Sequence, residues 1–372
     1  MLTVARKNLL RERTRLAISV GGVTLSVFLI GILLSLYRGW DETVGEYVEN
    51  VPADLWVASE GSTDFIYAAS LLPGTLERDI RDMDEVATVS PLVVRPVEMI
   101  KAGDPSRESF DMQLVGYDPE AELGGPLRVV EGKSPPGPDE VVIDKVLSER
   151  HGIEIGDRLV RGSKSLIVVG KSDRGDFIFT QVAYTNIETA ANFLTIRPHN
   201  LRTFFLVTLN DPAEREQLLK RHIPGITLIT GEDFADKTRA RVTANILPIL
   251  IVILVVAFIV GLAVAGLTIY TATVEKSREY GILKAEGFTN LFLYRVVFEQ
   301  SLVTSVLGFA LGAGLTVFVA PFAQEIVPQF VVWVRWQDVL GVAAATLLMA
   351  LLAAYIPVRR IAAIDPVTVF KG

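Results

Sequence analysis

The residues that come closest to catalytic chemistry are Glu131-Gly132-Lys133-Ser134, which read like the end of a phosphate-binding loop. Such a loop needs a glycine five residues before its second glycine, so that backbone N–H groups can wrap a phosphate at a helix N-terminus. That position is Leu127, and Gly125 lies too early. Pro135 and Pro136 follow Ser134, so no helix N-terminus stands ready, and the stretch reads as a turn. Asp173 and Asp176 flank Gly175 in KSDRGDF, but two loop carboxylates fall short of a calcium site and read as solvated turn residues. With no cysteine, disulfides, thiolate metal sites and a cysteine nucleophile are excluded. The histidines are His151, His199 and His222, too few and too scattered for a histidine-rich metal centre. Neither G-x-S-x-G nor H-E-x-x-H occurs. No catalytic residue, metal site or nucleic-acid partner is expected, and the chain has no engine of its own.

The informative charges sit elsewhere, in Glu275–Phe288, EKSREYGILKAEGF. Glu275, Lys276, Arg278, Glu279, Lys284 and Glu286 alternate there with Ile282, Leu283, Ala285 and Phe288. That composition makes a short amphipathic helix at a membrane surface, with an apolar side for a partner or for headgroups. An ordinary solvated loop whose charges only set topology would have the same composition.

The elements around this turn are long and apolar. Uncharged runs span Leu16–Tyr37, Val242–Val274, Gln300–Gln324 and Val339–Val358. About 20 helical residues cross a ~30 Å hydrocarbon core, so each run can span a bilayer. The second is too long for one crossing and should project into water, with Pro248 placed to kink it. At 50% hydrophobic and 21% charged, the chain is a membrane protein with a large water-exposed part. The first span could be taken for a signal peptide, but its core is long and no A-x-A-like site follows it, so a retained helix is expected.

Basic residues set the orientation. Arg6, Lys7, Arg11, Arg13 and Arg15 precede the first span, and Lys276, Arg278, Lys284 and Arg295 lie between the second and third. Arg359, Arg360 and Lys371 follow the fourth, whereas the 325–338 loop has only Arg335. Both termini and segment 275–299 are therefore expected in the cytoplasm, with 38–241 and 325–338 outside. Residues 38–241 carry 35 acidic and 23 basic side chains, a net −12, which is a matter of solubility. Residues 1–15 form either an amphipathic interfacial helix or a simple basic anchor.

The outer segment predicts an α+β domain. Strands at 53–59 and 86–94 bracket a helix at 75–83 with Thr75 as its N-cap. Strands at 203–209 and 225–230 bracket a second helix, opened by Asp211 and Pro212. Two β-α-β units suggest a ferredoxin-like lobe, with a mostly β subdomain of residues 112–190 inserted between them. Within the third span Gly308 and Gly312 form a GxxxG, which marks either a close helix contact or the ordinary glycine content of membrane helices. Glu299 is expected to pair with Arg295, one turn earlier.

In layout and motif the chain resembles the MacB/FtsX-like permeases of ABC transporters. Glu275, Arg278, Glu279, Gly281, Ile282, Leu283, Lys284, Ala285 and Gly287 are similar to that family's E-x-x-R-E-x-G-I-L-K-A-x-G segment. Pro357, Arg359, Arg360, Asp365 and Pro366 are similar to its closing P-x-R-R-A-A-x-x-D-P. DEVVIDKVLSERHGIEIGDRL at 139–159 resembles its middle β-rich subdomain. The resemblance implies a dimer of permease chains, identical or paralogous. A separate ATPase subunit would bind ATP and Mg, with no cofactor on this chain, and motor closure would move the outer domains through the long helices. Ile282, Leu283 and Phe288 would contact the motor, Arg278, Glu279, Lys284 and Glu286 would orient it, and Gly281 and Gly287 would allow tight turns. Membrane lipids and an extracytoplasmic adaptor or carrier are further expected partners. Export of a lipid, lipoprotein, peptide or drug fits the large outer domain. FtsX-like signalling to a cell-wall hydrolase and a motor-free membrane scaffold are the alternatives.

Overall fold

The computed structural model describes residues 13–62, 64–66, 70–105, 108–121, 123–175, 181–193, 200–326 and 331–362. Asp365, Pro366, Asp176 and most of the expected N-terminal helix lie outside them. The chain divides into two units, residues 40–245 and the remainder.

The outer unit is built on strands β1 (Leu55–Ser59), β2 (Leu72–Pro73), β3 (Val86–Lys101), β4 (Ser109–Tyr117), β5 (Arg128–Gly132), β6 (Glu140–Asp144), β7 (Arg158–Arg161), β8 (Lys164–Asp173), β9 (Gln181–Asn186), β10 (Leu201–Arg202), β11 (Phe204–Leu209) and β12 (Ile226–Ile229). Its short helices are α2 (Leu76–Arg81), α3 (Lys145–His151), α4 (Ile187–Asn192) and α5 (Arg215–Leu219). Four long helices, α1 (Arg13–Asn50), α6 (Gly231–Glu275), α8 (Asn290–Ile326) and α9 (Trp336–Ala362), carry the apolar runs, and α7 (Ser277–Ala285) lies between α6 and α8.

The strand order β12-β1-β11-β3, antiparallel throughout, is that of a ferredoxin-like lobe. Period-two alternation decides its faces. Leu55, Val57, Phe205 and Val207 pack with Ile80 and Leu218 of the covering helices. Trp56, Phe204 and Leu206 point the other way, into a core with Phe65 and Phe234. The ring centroids there lie 5.4–5.9 Å apart for Trp56–Phe65, Trp56–Phe204, Trp56–Phe234, Phe65–Phe204 and Phe204–Phe234, the spacing of attractive aromatic pairs.

The inserted subdomain shares this sheet. β3 pairs with β11 through residues 86–92 and with β4 through residues 92–100, so one 16-residue strand belongs to both lobes. Pro91 and Pro96 sit where β3 has a neighbour on one side only, so their missing N–H groups can face the unpaired side. The insert also holds α3 and α4, which the expectation of a mostly β subdomain omits. Asp144 and Asn186 start them, accepting from Val146 N at 2.7 Å and Glu188 N at 2.8 Å. Thr75 precedes α2 but makes no side-chain cap, because its own backbone is already helical.

The near-motifs for chemistry are structural. Lys133 Nζ pairs with Glu140 at 2.9 Å and its N–H donates to Val169 O at 2.8 Å, within the sheet's connections. Arg128 holds Asp173 with two hydrogen bonds, which keep that carboxyl below its usual pKa.

Both overlong helices exceed their uncharged runs. α6 begins at Gly231, eleven residues before Val242, in charged sequence. Thr230 opens it by a reciprocal cap: Asp233 N–H donates to Thr230 Oγ1 at 3.1 Å and Thr230 Oγ1 donates to the Asp233 carboxylate at 2.9 Å. The helix runs unbroken through Pro248. Among the described residues, four helices are long and apolar enough to cross a membrane.

In the membrane unit small residues set the packing. A Cβ on Gly308 would lie 2.5 Å from Val23 Cγ1, and one on Gly312 2.7 Å from Val27 Cβ, so these glycines receive α1 valines one turn apart. Ser301 Oγ donates across to Ala350 O at 2.7 Å. Arg295 Nε and Glu299 Oε1 are 3.3 Å apart.

Candidate functional site

The turn between the second and third spans is a formed helix with a closed end. α6 stops at Glu275 and α7 starts at Ser277. At the far end Phe288 N–H donates to Leu283 O at 3.0 Å and Gly287 N–H to Lys284 O at 3.1 Å. Those two bonds make a Schellman cap, with Gly287 at φ +95° as its left-handed residue. Phe288 stacks on Phe292 with centroids 4.8 Å apart, while Thr289 O accepts from Phe292 N at 3.1 Å to begin α8. The expected 275–299 segment is thus α7 followed by the first turns of α8.

The two faces of α7 differ. Arg278, Glu279, Ala285, Glu286 and Gly287 are exposed, as are Ile282 (41%) and Phe288 (42%). Exposed apolar side chains of this size among charges are what a docking surface requires. Leu283 instead turns inward, onto a core with Ile269, Leu293 and Val297. Lys284 is half-buried. Gly281 corrects the expectation of a tight turn: it is buried in the interior of α7. The chain stays helical through it, so no tight turn forms there. Tyr280, 4% exposed, shares that core and was not singled out from sequence, although its place beside Gly281 on the inward face could have shown it.

Glu275 is exposed but paired. Its Oε2 lies 2.5 Å from Arg15 Nη2, tying the end of α6 to the start of α1. Pro357 and Arg359 lie inside α9 rather than in a free tail, and Arg359 stands 4.8 Å above the Tyr355 ring. The backbone of Arg360 continues the same helix.

Sequence reasoning also missed two fastenings. In the outer unit Arg239 of α6 donates from Nε to Asp41 O at 3.0 Å, pairs with Asp236 at 2.9 Å and bonds the Glu49 carboxylate. Gly45 leaves room for that guanidinium: a Cβ there would lie 2.6 Å from Arg239 Cζ. In the membrane unit Arg38 grips Asp338 through two bonds of 3.0 and 3.2 Å. Long-range pairs of this kind leave no local sequence signal.

Comparison with known proteins agrees with this architecture. The MacB-like periplasmic core domain matches residues 16–222, and the FtsX-like permease C-terminal domain matches residues 249–366. An uncharacterized ABC transporter permease of Mycobacterium bovis is 24% identical over 386 residues, covering all of both chains. A macrolide export ATP-binding/permease protein, MacB 2 of Aeromonas hydrophila, is 26% identical over 43% of this chain and 25% of its own. The periplasmic region of MacB from Actinobacillus actinomycetemcomitans is 12% identical with a TM-score of 0.38, covering 52% of this chain and 93% of that one. The chain is a multi-pass membrane protein with a large extracytoplasmic domain, and its family implies an ATPase partner. It belongs to the MacB/FtsX-like family of ABC transporter permeases.

Proposed function

We propose that this permease converts ATP hydrolysis by a separate ATPase subunit into motion of its extracytoplasmic domain, and that the motion drives export or extraction of a lipid, lipoprotein, peptide or drug. The single observation that carries the proposal is α7: a capped helix whose outward face combines Arg278, Glu279, Ile282, Glu286 and Phe288 while Tyr280 and Leu283 root it in the helical core. A rooted lever transmits force, whereas a solvated loop would absorb it. In this reading α7 lies in the cytoplasm with both termini, a second permease chain completes the transporter, and ATP and Mg bind to the motor alone.

The long helices support the same mechanism. α1 and α6 have 38 and 45 residues, both longer than one bilayer crossing needs. They are clasped twice, by Arg15 to Glu275 in one unit and by Arg239 to Asp41 and Glu49 in the other. Each contact fastens the two helices within its own unit.

The test is purification of the tagged chain from native membranes in mild detergent, with mass spectrometry of its companions. A stoichiometric P-loop ATPase is expected, and an adaptor or carrier beside it favours export. Combined reversal, Arg278→Glu with Glu279→Arg, should remove the ATPase and leave membrane insertion intact. Unchanged ATPase recovery would refute the docking role, and a folded chain with no ATPase would favour a scaffold.

A further inference from the structure

The membrane unit contains a cavity of about 410 Å³ that the coupling mechanism does not use. Val27 and Leu34 of α1, Phe309 and Val317 of α8, and Val339 and Val342 of α9 line it. It lies toward the end of the bundle where Arg38 grips Asp338, and Asp338 forms part of its wall. We propose that this cavity is a binding site for one acyl chain of a membrane phospholipid.

The chemistry of the wall supports an apolar occupant. Three polar side chains line it, Ser35, Thr316 and Asp338, and the last two are engaged within the protein: Thr316 Oγ1 donates to Gly312 O at 3.0 Å, and the Asp338 carboxylate takes two bonds from Arg38. No group aims an unmet hydrogen bond at the space from these two side chains, so a polar ligand would lose its hydration without return. The volume falls in the range of ligand pockets, roughly 300–1,000 Å³. The surrounding spans stand in hydrocarbon, where lipid is the solvent that fills open space. Asp338 on its wall is already paired with Arg38, so the pair offers no net charge to a headgroup.

Gly314 provides the test. It lines the cavity, and a Cβ placed on it would meet no atom within 4 Å. Gly314→Leu therefore starts its side chain in open space on the cavity wall. The full chain is reconstituted in phosphatidylcholine vesicles carrying a phospholipid with a diazirine near its acyl terminus, irradiated, and mapped by peptide mass spectrometry. Labels are expected on Val27, Phe309 and Val342, which line the cavity and are not open to bulk lipid. Gly314→Leu should reduce them roughly tenfold, the effect of displacing about two buried methylenes, while labels on the exposed Val252 and Val256 of α6 stay constant. Replacing the carrier lipid with phosphatidylglycerol should change nothing. Equal labelling of Phe309 and Val342 in Gly314→Leu would overturn the proposal, as would labelling only of the α6 face. Crosslinks from a second copy of the chain to Phe309 would overturn it in favour of protein side chains as the occupant.

Discussion

Alanine at Gly308 or Gly312 should loosen the membrane unit, whereas alanine at Gly314, in the same helix, should not. At Gly308 the new Cβ would stand 2.6 Å from Val23 Cβ, and at Gly312 2.7 Å from Val27 Cβ. Carbon atoms prefer about 3.5–4.0 Å, so each substitution demands roughly 1 Å of separation. Rotating the valines does not help, because a Cβ is fixed by its backbone; α1 itself must move. Overpacking of this kind costs about 1–3 kcal/mol. The two costs should not add, since one outward shift of α1 relieves both contacts. At Gly314 there is no neighbour within 4 Å, so alanine brings only its helix preference, worth about 0.5–1 kcal/mol in favour. The assay is thermal unfolding of the detergent-solubilised chain followed by tryptophan fluorescence. Midpoints should fall for Gly308→Ala and Gly312→Ala, fall by less than the sum in the double variant, and hold or rise for Gly314→Ala. Equal midpoints for all three single variants would show that the close approach of α1 and α8 is not what holds this unit together.

Other perturbations test separate parts of the structure. Burial pushes the Asp144 carboxyl up to about 6, with nearby Asp173 adding to the effect. A raised folded pKa means that its contribution to stability is full at low pH and is lost as pH rises through 6, by up to roughly 3 kcal/mol. Asp144→Asn, which still caps α3 and cannot ionise, should exceed the parent in melting temperature at pH 8 and match it near pH 4; a gap independent of pH would contradict this. Gly287→Val places a β-branched residue at φ +95°, a strain on the order of 1–3 kcal/mol, and should abolish ATPase recovery with the chain still in the membrane fraction. Arg38→Met removes both bonds to Asp338, whose side chain is only 11% exposed, and should lower stability by about 1–3 kcal/mol in the same fluorescence assay. Adding Asp338→Asn should recover part of that loss.

The four spans and the ferredoxin-like order were legible because uncharged runs and period-two alternation are local signals. Trp56 and Val57 alternate between two cores, and Thr203–Leu209 and Gly225–Thr230 repeat the pattern of the first unit. The start of α6 was hidden because its first turns, GEDFADKTRAR, are charged and look like a linker; only the Thr230–Asp233 pair marks the cap. β3 reads as ending at Val94 because Pro96 follows, but a proline costs no ladder bond where the strand has one neighbour. In α7 composition shows the charged and apolar residues but not which of them face inward. Leu283 and Ile282 are neighbours with equal apolar character, and only the position of the following helix assigns one to the core and the other to the surface. Arg15–Glu275, Arg38–Asp338 and Arg239–Asp41 join residues hundreds of positions apart, which no single-sequence pattern encodes.

The central claim is that the outward face of α7 docks on an ATPase. A photo-crosslinking amino acid placed at Ile282, at Phe288 or at the inward Leu283 of the full chain, irradiated in native membranes, tests it most directly. Adducts with a P-loop ATPase from Ile282 and Phe288, and none from Leu283, are the predicted result. An inserted, folded chain that yields no ATPase adduct from Ile282 or Phe288 would contradict the account.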